Sequence, residues 1–231
     1  MRLEIRNLCK QYDRELALDH VNMVLENGIY GILGPNGAGK STLMNILCNQ
    51  LKCEEGSVLY NDKDIREQKQ AYYELLGYAP QQQGLYDEFS GERFLTYMAL
   101  LKNISKSQIQ KEVARVAQLV NMQQHLKQRC GAYSGGMKQR ILVAQALLGN
   151  PEILLFDEPT AGLDPKERVS LRRVFDSLKK EHTLLIATHV VSDVESIADE
   201  VIFLKQGRLM AQGGVDELLL HHPGIASLEE L

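Results

Sequence analysis

The chain has 231 residues, 44% hydrophobic and 24% charged, the balance of an ordinary globular protein large enough for one big domain. Its formal charge of −4 argues against a surface that coats nucleic acid, and no apolar run approaches the ~18–20 residues of a membrane span. The start, Met1-Arg2-Leu3-Glu4-Ile5-Arg6, alternates like a strand and lacks the apolar core of a signal peptide. The expectation is a cytosolic protein, with any membrane role left to a partner.

In chain order, Leu3, Ile5, Leu18, Val21, Met23 and Leu25 alternate with polar residues and predict two or three antiparallel strands up to about residue 28, with Tyr12 in a polar turn between them. Ile29-Tyr30-Gly31-Ile32-Leu33 predicts a buried strand, and a helix follows the glycine-rich loop to about Gln50. Glu54-Glu55-Gly56-Ser57 is expected to turn, Val58-Leu59-Tyr60 to form a strand, Asn61-Asp62-Lys63-Asp64 to turn again, and residues 75–79 to form a short strand ending at Pro80. From about Leu85 to Gly149 the spacing becomes helical: Phe94, Leu95, Met98 and Leu101, then Ile109, Val113, Val116, Leu119 and Val120, then a helix from Met137 that stops at Gly149-Asn150-Pro151. Strand and helix alternate after that. Strands are expected at 153–156, 184–188, 201–204 and 208–212, and helices from Pro165 to about Lys180 and on to Ile197. The pattern predicts an α/β fold with a mainly parallel sheet, an N-terminal antiparallel part and an inserted helical part. Residues after about Leu220 look like a short tail.

Four cysteines, Cys9, Cys48, Cys53 and Cys130, form no CxxC pair, and no matching cluster completes a zinc site around Cys48 and Cys53. Reduced thiols fit better than disulfides. His221-His222 is a weak metal candidate set against a plain solvated tail.

The stretch with most chemical content is Gly34-Pro35-Asn36-Gly37-Ala38-Gly39-Lys40-Ser41-Thr42, between a predicted strand and a predicted helix. Glycines let backbone N–H groups turn inward around a phosphate chain, and the helix aims its positive end at the same anion. Lys40 suits the β- and γ-phosphates, and the Ser41 hydroxyl suits Mg²⁺. Ile153-Leu154-Leu155-Phe156 ends in Asp157 and Glu158. Strand ends in a parallel sheet face the ligand crevice, which places Asp157 to hold the metal. Neighbouring residues on a strand point opposite ways, so Glu158 has a separate task, the orientation and deprotonation of an attacking water. Ser134-Gly135-Gly136, at the start of a predicted helix, makes a second anion site or a simple helix cap.

Taken together, the phosphate loop, Tyr133-Ser134-Gly135-Gly136-Met137, Leu155-Phe156-Asp157-Glu158-Pro159, Ala161-Gly162-Leu163-Asp164 and Ala187-Thr188-His189 occur in an order that resembles the nucleotide-binding subunit of an ATP-binding cassette (ABC) transporter, over essentially the whole chain. The serine-glycine-glycine signature separates this family from kinases, GTPases and helicases. The resemblance implies a single ATPase domain over 1–231: a P-loop core with a β part over 1–84 and 150–220, a helical insertion over 85–149 and a tail over 221–231. It implies that Tyr12 stacks on adenine and that Gly34, Pro35, Asn36, Gly37, Ala38, Gly39, Lys40, Ser41 and Thr42 cradle ATP. Ser41, Gln81 and Asp157 would serve Mg²⁺, with Glu158 as general base and His189 on the γ-phosphate. Ser134, Gly135 and Gly136 would contact ATP held by an opposite subunit, and Asp164 would shape that contact. The implied partners are a second cassette, in a homodimer or heterodimer, and a multi-span membrane permease docked near 81–92, where Leu85, Tyr86 and Phe89 are apolar; no nucleic acid is expected. The location would be cytoplasmic, on the inner face of the membrane. Met137, where many members carry glutamine, and the lack of a long regulatory domain after the core point to the export-type branch for drugs or antibiotics. A cassette ATPase driving a non-transport membrane machine is the alternative, and a non-catalytic binding subunit is disfavoured by the presence of Glu158 and His189.

Overall fold

The computed structural model describes residues 1–13, 15–81, 84–221 and 228. The chain begins with β1 (Leu3–Tyr12) and β2 (Glu15–Leu25), paired antiparallel with Leu3 opposite Leu25. Tyr12 is the last residue of β1, opposite Glu15, and not part of the turn. Next come β3 (Gly28–Leu33), buried along its whole length, and α1 (Lys40–Leu47). β4 (Glu55–Tyr60) pairs with β1, and the two-residue β5 (Lys63–Asp64) pairs with β4, giving a four-stranded sheet in the order β2-β1-β4-β5.

The expected turn at Glu54–Ser57 is largely strand, because Gly56 lets β4 press against β1. Its φ is +86°, and a Cβ there would lie 2.3 Å from the Asn7 carbonyl oxygen, a position only glycine fills without strain. A second departure is α2 (Ile65–Glu74), absent from the sequence reading. It buries only Ile65 and Tyr72, too few apolar residues for a visible period, and is fixed by its Asp64 cap and by the Tyr72 hydroxyl, which donates to the Leu47 carbonyl at 2.7 Å.

β6 (Leu76–Ala79) leads to the helices α3 (Gly91–Leu101), α4 (Lys106–Leu119) and α5 (Gly135–Ala146). The framework resumes with β7 (Ile153–Asp157), α6 (Pro165–Leu178) and β8 (Thr183–Thr188). α7 (Val191–Val194) is a single turn, shorter than the helix expected up to Ile197. It precedes β9 (Glu200–Lys205), β10 (Arg208–Gly213) and α8 (Val215–His221), a helix the sequence reading did not contain. Most of the expected tail, including His222, lies outside the described residues, as does the His221 side chain.

The second sheet has the order β10-β9-β3-β8-β7-β6. All its pairs are parallel except β9 with β10. β3, β7 and β8 are buried on both faces, so their alternating side chains feed two cores. Ile29, Leu154, Phe156, Leu184 and Ile186 pack toward the helical insertion and α6, where Phe156 meets Phe175 at 4.7 Å between ring centres. Tyr30, Ile32, Leu155, Leu185 and Ala187 pack toward the N-terminal sheet and α1. The adjacent order β3-β8-β7-β6 brings four parallel strand ends to one rim, the crevice where α/β sheets bind ligands.

Candidate active site

Each element on that rim supplies a predicted residue. The loop from Gly34 to Gly39 joins β3 to α1, Gln81 lies just past β6, Asp157 ends β7, and His189 follows β8. Gly39 caps α1 with φ +104°, and a Cβ there would sit 2.4 Å from the Ala17 carbonyl oxygen, so the loop turns as tightly as it does only with glycine. Tyr12, the loop residues Pro35 to Thr42, Gln81, Asp157 and Glu158 line one cleft of roughly 240 Å³.

The cleft is charged, and Lys40, Asp157 and Glu158 in it are buried. Lys40 is buried and donates from Nζ to the carbonyl oxygens of Gly34 at 2.6 Å and Pro35 at 3.2 Å. Burial lowers its pKa, and the nearby Glu158 and Asp157 carboxylates oppose that shift. Asp157 is raised, first by burial and further by Glu158, while a hydrogen bond from Ser41 and the charge of Lys40 pull it down. Two buried carboxylates beside one ammonium leave a local excess of negative charge. Tyr12 is 47% exposed, with the Lys10 ammonium 5.3 Å from its ring centre and bound at 2.6 Å to Glu54.

Glu158 differs from Asp157 for a reason other than strand alternation. β7 ends at Asp157, and Glu158 has φ +52°, a left-handed conformation rare for a non-glycine residue. Its N–H donates to the Ala187 carbonyl at 2.8 Å. The Thr188 hydroxyl donates to Oε2 at 3.1 Å, and His189 Nδ1 stands 2.8 Å from Oε1. The carboxylate is thus turned out of the strand, buried and oriented from two sides.

Ser134, Gly135, Gly136 and Asp164 do not join this cleft. Ser134 caps α5, its hydroxyl accepting from the Met137 N–H at 3.2 Å, and Asp164 caps α6, accepting from the Glu167 N–H at 2.9 Å. The two helix starts adjoin, since a Cβ on Gly136 would fall 1.9 Å from a Glu167 carboxylate oxygen. Ser134, Gly135 and Asp164 are exposed, and a Cβ on Gly135 would meet no atom within 4 Å.

A family model described as ABC transporter matches residues 18–161, the span from β2 through the phosphate loop to just past Glu158. The chain belongs to the ABC transporter family. An uncharacterized ABC transporter ATP-binding protein of Bacillus subtilis (strain 168), YxlF, is 36% identical over 218 residues, 94% of this chain and 72% of the relative. The lantibiotic transport ATP-binding protein SrtF of Streptococcus pyogenes is 34% identical over 231 residues, 99% of this chain and 95% of the relative. Among solved structures, an ATP-binding subunit of an ABC transporter superposes with a TM-score of 0.87 at 26% identity, covering 100% of this chain and 97% of that one. The chain is therefore an ATP-binding subunit of the ABC transporter family and an ATP hydrolase.

Several residues around this ABC site escaped the sequence reading. Thr188 was visible only as a neighbour of His189, and its hydroxyl bridges the Val190 N–H and Glu158. Asp193, on α7 and 2% exposed, accepts a short hydrogen bond from the buried Thr160 hydroxyl and lies 3.7 Å from the Arg168 guanidinium. It ties the segment after His189 to the segment between Glu158 and Asp164. No linear signal marks that link, because its three members lie on separate elements.

Proposed function

We propose that this ABC subunit binds Mg²⁺-ATP in the cleft, closes head to tail on a second cassette, and uses hydrolysis to drive export through a separate membrane permease. The observation that carries this reading is the separation of two anion-binding helix starts. One lines the cleft at Lys40, and the other, at Ser134, is exposed elsewhere on the same chain. Two copies related by a two-fold axis would bring the Ser134 start of each over the loop of the other, so that ATP holds the pair together. In this reading the domain divides into the P-loop core with its β part and the helical insertion over 85–149, which carries the Ser134 start.

The oxygen donors suit Mg²⁺. Ser41, Asp157 and Gln81 offer hydroxyl, carboxylate and amide oxygens, the hard ligands this ion prefers, and the surplus carboxylate charge is what a cation would offset. When bound, Mg²⁺ would neutralise charge on the phosphate oxygens. The chain's own residues do the rest: the loop N–H groups and Lys40 hold the phosphates, Tyr12 offers its exposed ring to adenine, and Glu158 Oε1 or Oε2 takes the proton of an attacking water. His189, bound to Glu158 here, is within reach of the same reacting group.

Docking to a permease is supported by an aromatic group on the helical insertion. Tyr86 is 50% exposed, its ring tilted 5.0 Å from Phe89 and edge-on 5.9 Å from Tyr97. Leu85 and Phe89 are partly buried against the core, which leaves Tyr86 as the ring most open to a partner. Gln82 and Gln83 of this segment lie outside the described residues. Among the described residues no helix is long and apolar enough to cross a membrane, consistent with attachment through that partner. Met137 and the similarity to a lantibiotic transport subunit support the export branch.

The decisive experiment is Glu158→Gln, which keeps the shape of the side chain and removes its basicity. Expected are retained ATP binding, ATPase activity reduced ~10²–10⁴-fold, and a dimer on size-exclusion chromatography that forms only with ATP. Unchanged turnover would remove Glu158 as base, and a monomer under all nucleotide conditions would remove the head-to-tail pair.

A further inference from the structure

We propose that the N-terminal sheet holds a site for a divalent metal of the zinc class, formed by Cys9, His20 and Glu55 and separate from the ATP cleft. The three residues come from three adjacent strands. Cys9 lies on the central β1, directly opposite Glu55 of β4, and His20 stands on β2 along the other edge of β1. The Cys9 sulfur, an imidazole nitrogen of His20 and a carboxylate oxygen of Glu55 lie within 4.8 Å of one another. A tetrahedral zinc ion with ligands at 2.0–2.3 Å sets its donors about 3.6 Å apart. The remaining closure of roughly an ångström falls to His20 and Glu55, which are exposed, while Cys9 is buried and held.

The surroundings of two ligands are those of a metal site. The His20 backbone N–H donates to Cys9 Sγ at 3.3 Å, which fixes the sulfur beside the His20 ring. Asp19 Oδ1 stands 2.6 Å from His20 Nδ1, and Asp19 is anchored in turn by Arg208 at 2.6 Å. A carboxylate on one imidazole nitrogen orients the ring and leaves Nε2 to a metal. His20 has φ +52° at a break in the β1–β2 register between Leu8 and Lys10, a bulge that re-aims its side chain.

The donor set selects the ion. Sulfur and imidazole are poor ligands for Mg²⁺ or Ca²⁺ and good ones for Zn²⁺. A thiolate and a carboxylate balance its two positive charges, water completes the fourth position, and binding releases the thiol proton to solvent. The ion would clip β2 and β4 to β1, the strand that ends at Tyr12. Linear spacing conceals the site because each ligand sits on a different strand.

The test uses the full chain, stripped of metal with a chelator, kept reduced with a phosphine and titrated with Co²⁺ in the absence of nucleotide. Expected is one equivalent of Co²⁺ with a near-ultraviolet thiolate-to-cobalt absorption that Zn²⁺ displaces. Cys9→Ser should abolish the band, and His20→Ala and Glu55→Gln, both at exposed positions, should weaken Co²⁺ binding by more than the ~10–100-fold that loss of an outer-shell partner costs, with folding intact. Absence of the band, its survival in Cys9→Ser, or an unchanged affinity in His20→Ala would each overturn the proposal and leave adventitious binding only.

Discussion

His189 Nδ1 lies 2.8 Å from Glu158 Oε1, a bond between residues that follow two neighbouring parallel strands. β7 and β8 pair with Asp157 opposite Ala187, which brings the two strand ends together, and the left-handed φ of Glu158 then turns its carboxylate toward His189. If Glu158 is the base and His189 orients it and the γ-phosphate, His189→Ala should lower kcat ~10²–10³-fold and change ATP affinity much less. Steady-state ATPase assays beside equilibrium nucleotide binding measure both; a loss confined to binding would assign His189 to ground-state contacts only.

Gly135 separates fold from function cleanly. Its added Cβ meets no atom within 4 Å, and it is the first residue of α5. Gly135→Asp should therefore leave stability within about 0.5 kcal/mol, helped by the favourable place of an acid at a helix start. The same carboxylate would face the partner's triphosphate, and ATPase activity should fall to background. Thermal melting and turnover on one sample check this, and full activity would contradict the two-copy site.

Asp157 sets stability against activity. Its folded-state pKa is raised above the unfolded value, chiefly by burial and then by Glu158. Such a carboxyl favours the fold while protonated, and stability falls as pH rises from the unfolded pKa through the folded one. At neutral pH the ionised group is a net cost. Asp157→Asn should raise the melting temperature of the nucleotide-free protein at pH 7, narrow its advantage as the pH is lowered toward 4, and abolish Mg²⁺-dependent hydrolysis. Melting curves across that pH range supply the comparison.

Asp193 is predicted to matter for both folding and catalysis. Asp193→Ala strips the buried Thr160 hydroxyl of its acceptor and Arg168 of its nearby anion, at a cost of about 1–3 kcal/mol. Urea unfolding should show a lower midpoint with the slope unchanged. ATPase activity should also drop, since the segment between Glu158 and Asp164 loses its tie to α7. A variant as stable as the parent would show that Arg168 and Thr160 find other partners.

Much of this was legible before folding. The phosphate loop, the acidic strand end, the helix start at Ser134 and the period-two strands are local features. They depend on glycine conformations, helix-end N–H groups and side-chain alternation within a few residues. α2 and α8 were missed because short helices with few buried residues carry little period. Most of the turn expected at Glu54–Ser57 became strand because the long-range approach of Gly56 to the Asn7 carbonyl outweighed a composition rich in turn formers.

By itself, the order of residues determined that this chain carries a phosphate loop at one helix start, a serine-glycine-glycine start at another, a strand ending in two carboxylates and a parallel framework to hold them. Only the tertiary structure decided that Glu158 turns left-handed into a bond with His189, that Asp193 joins Thr160 to Arg168, and that Ser134 stays apart from the cleft. The reason is physical: contacts between residues so far apart in the chain exist only once strands have paired in one register, and nothing in the local chain encodes that register except the burial it makes possible.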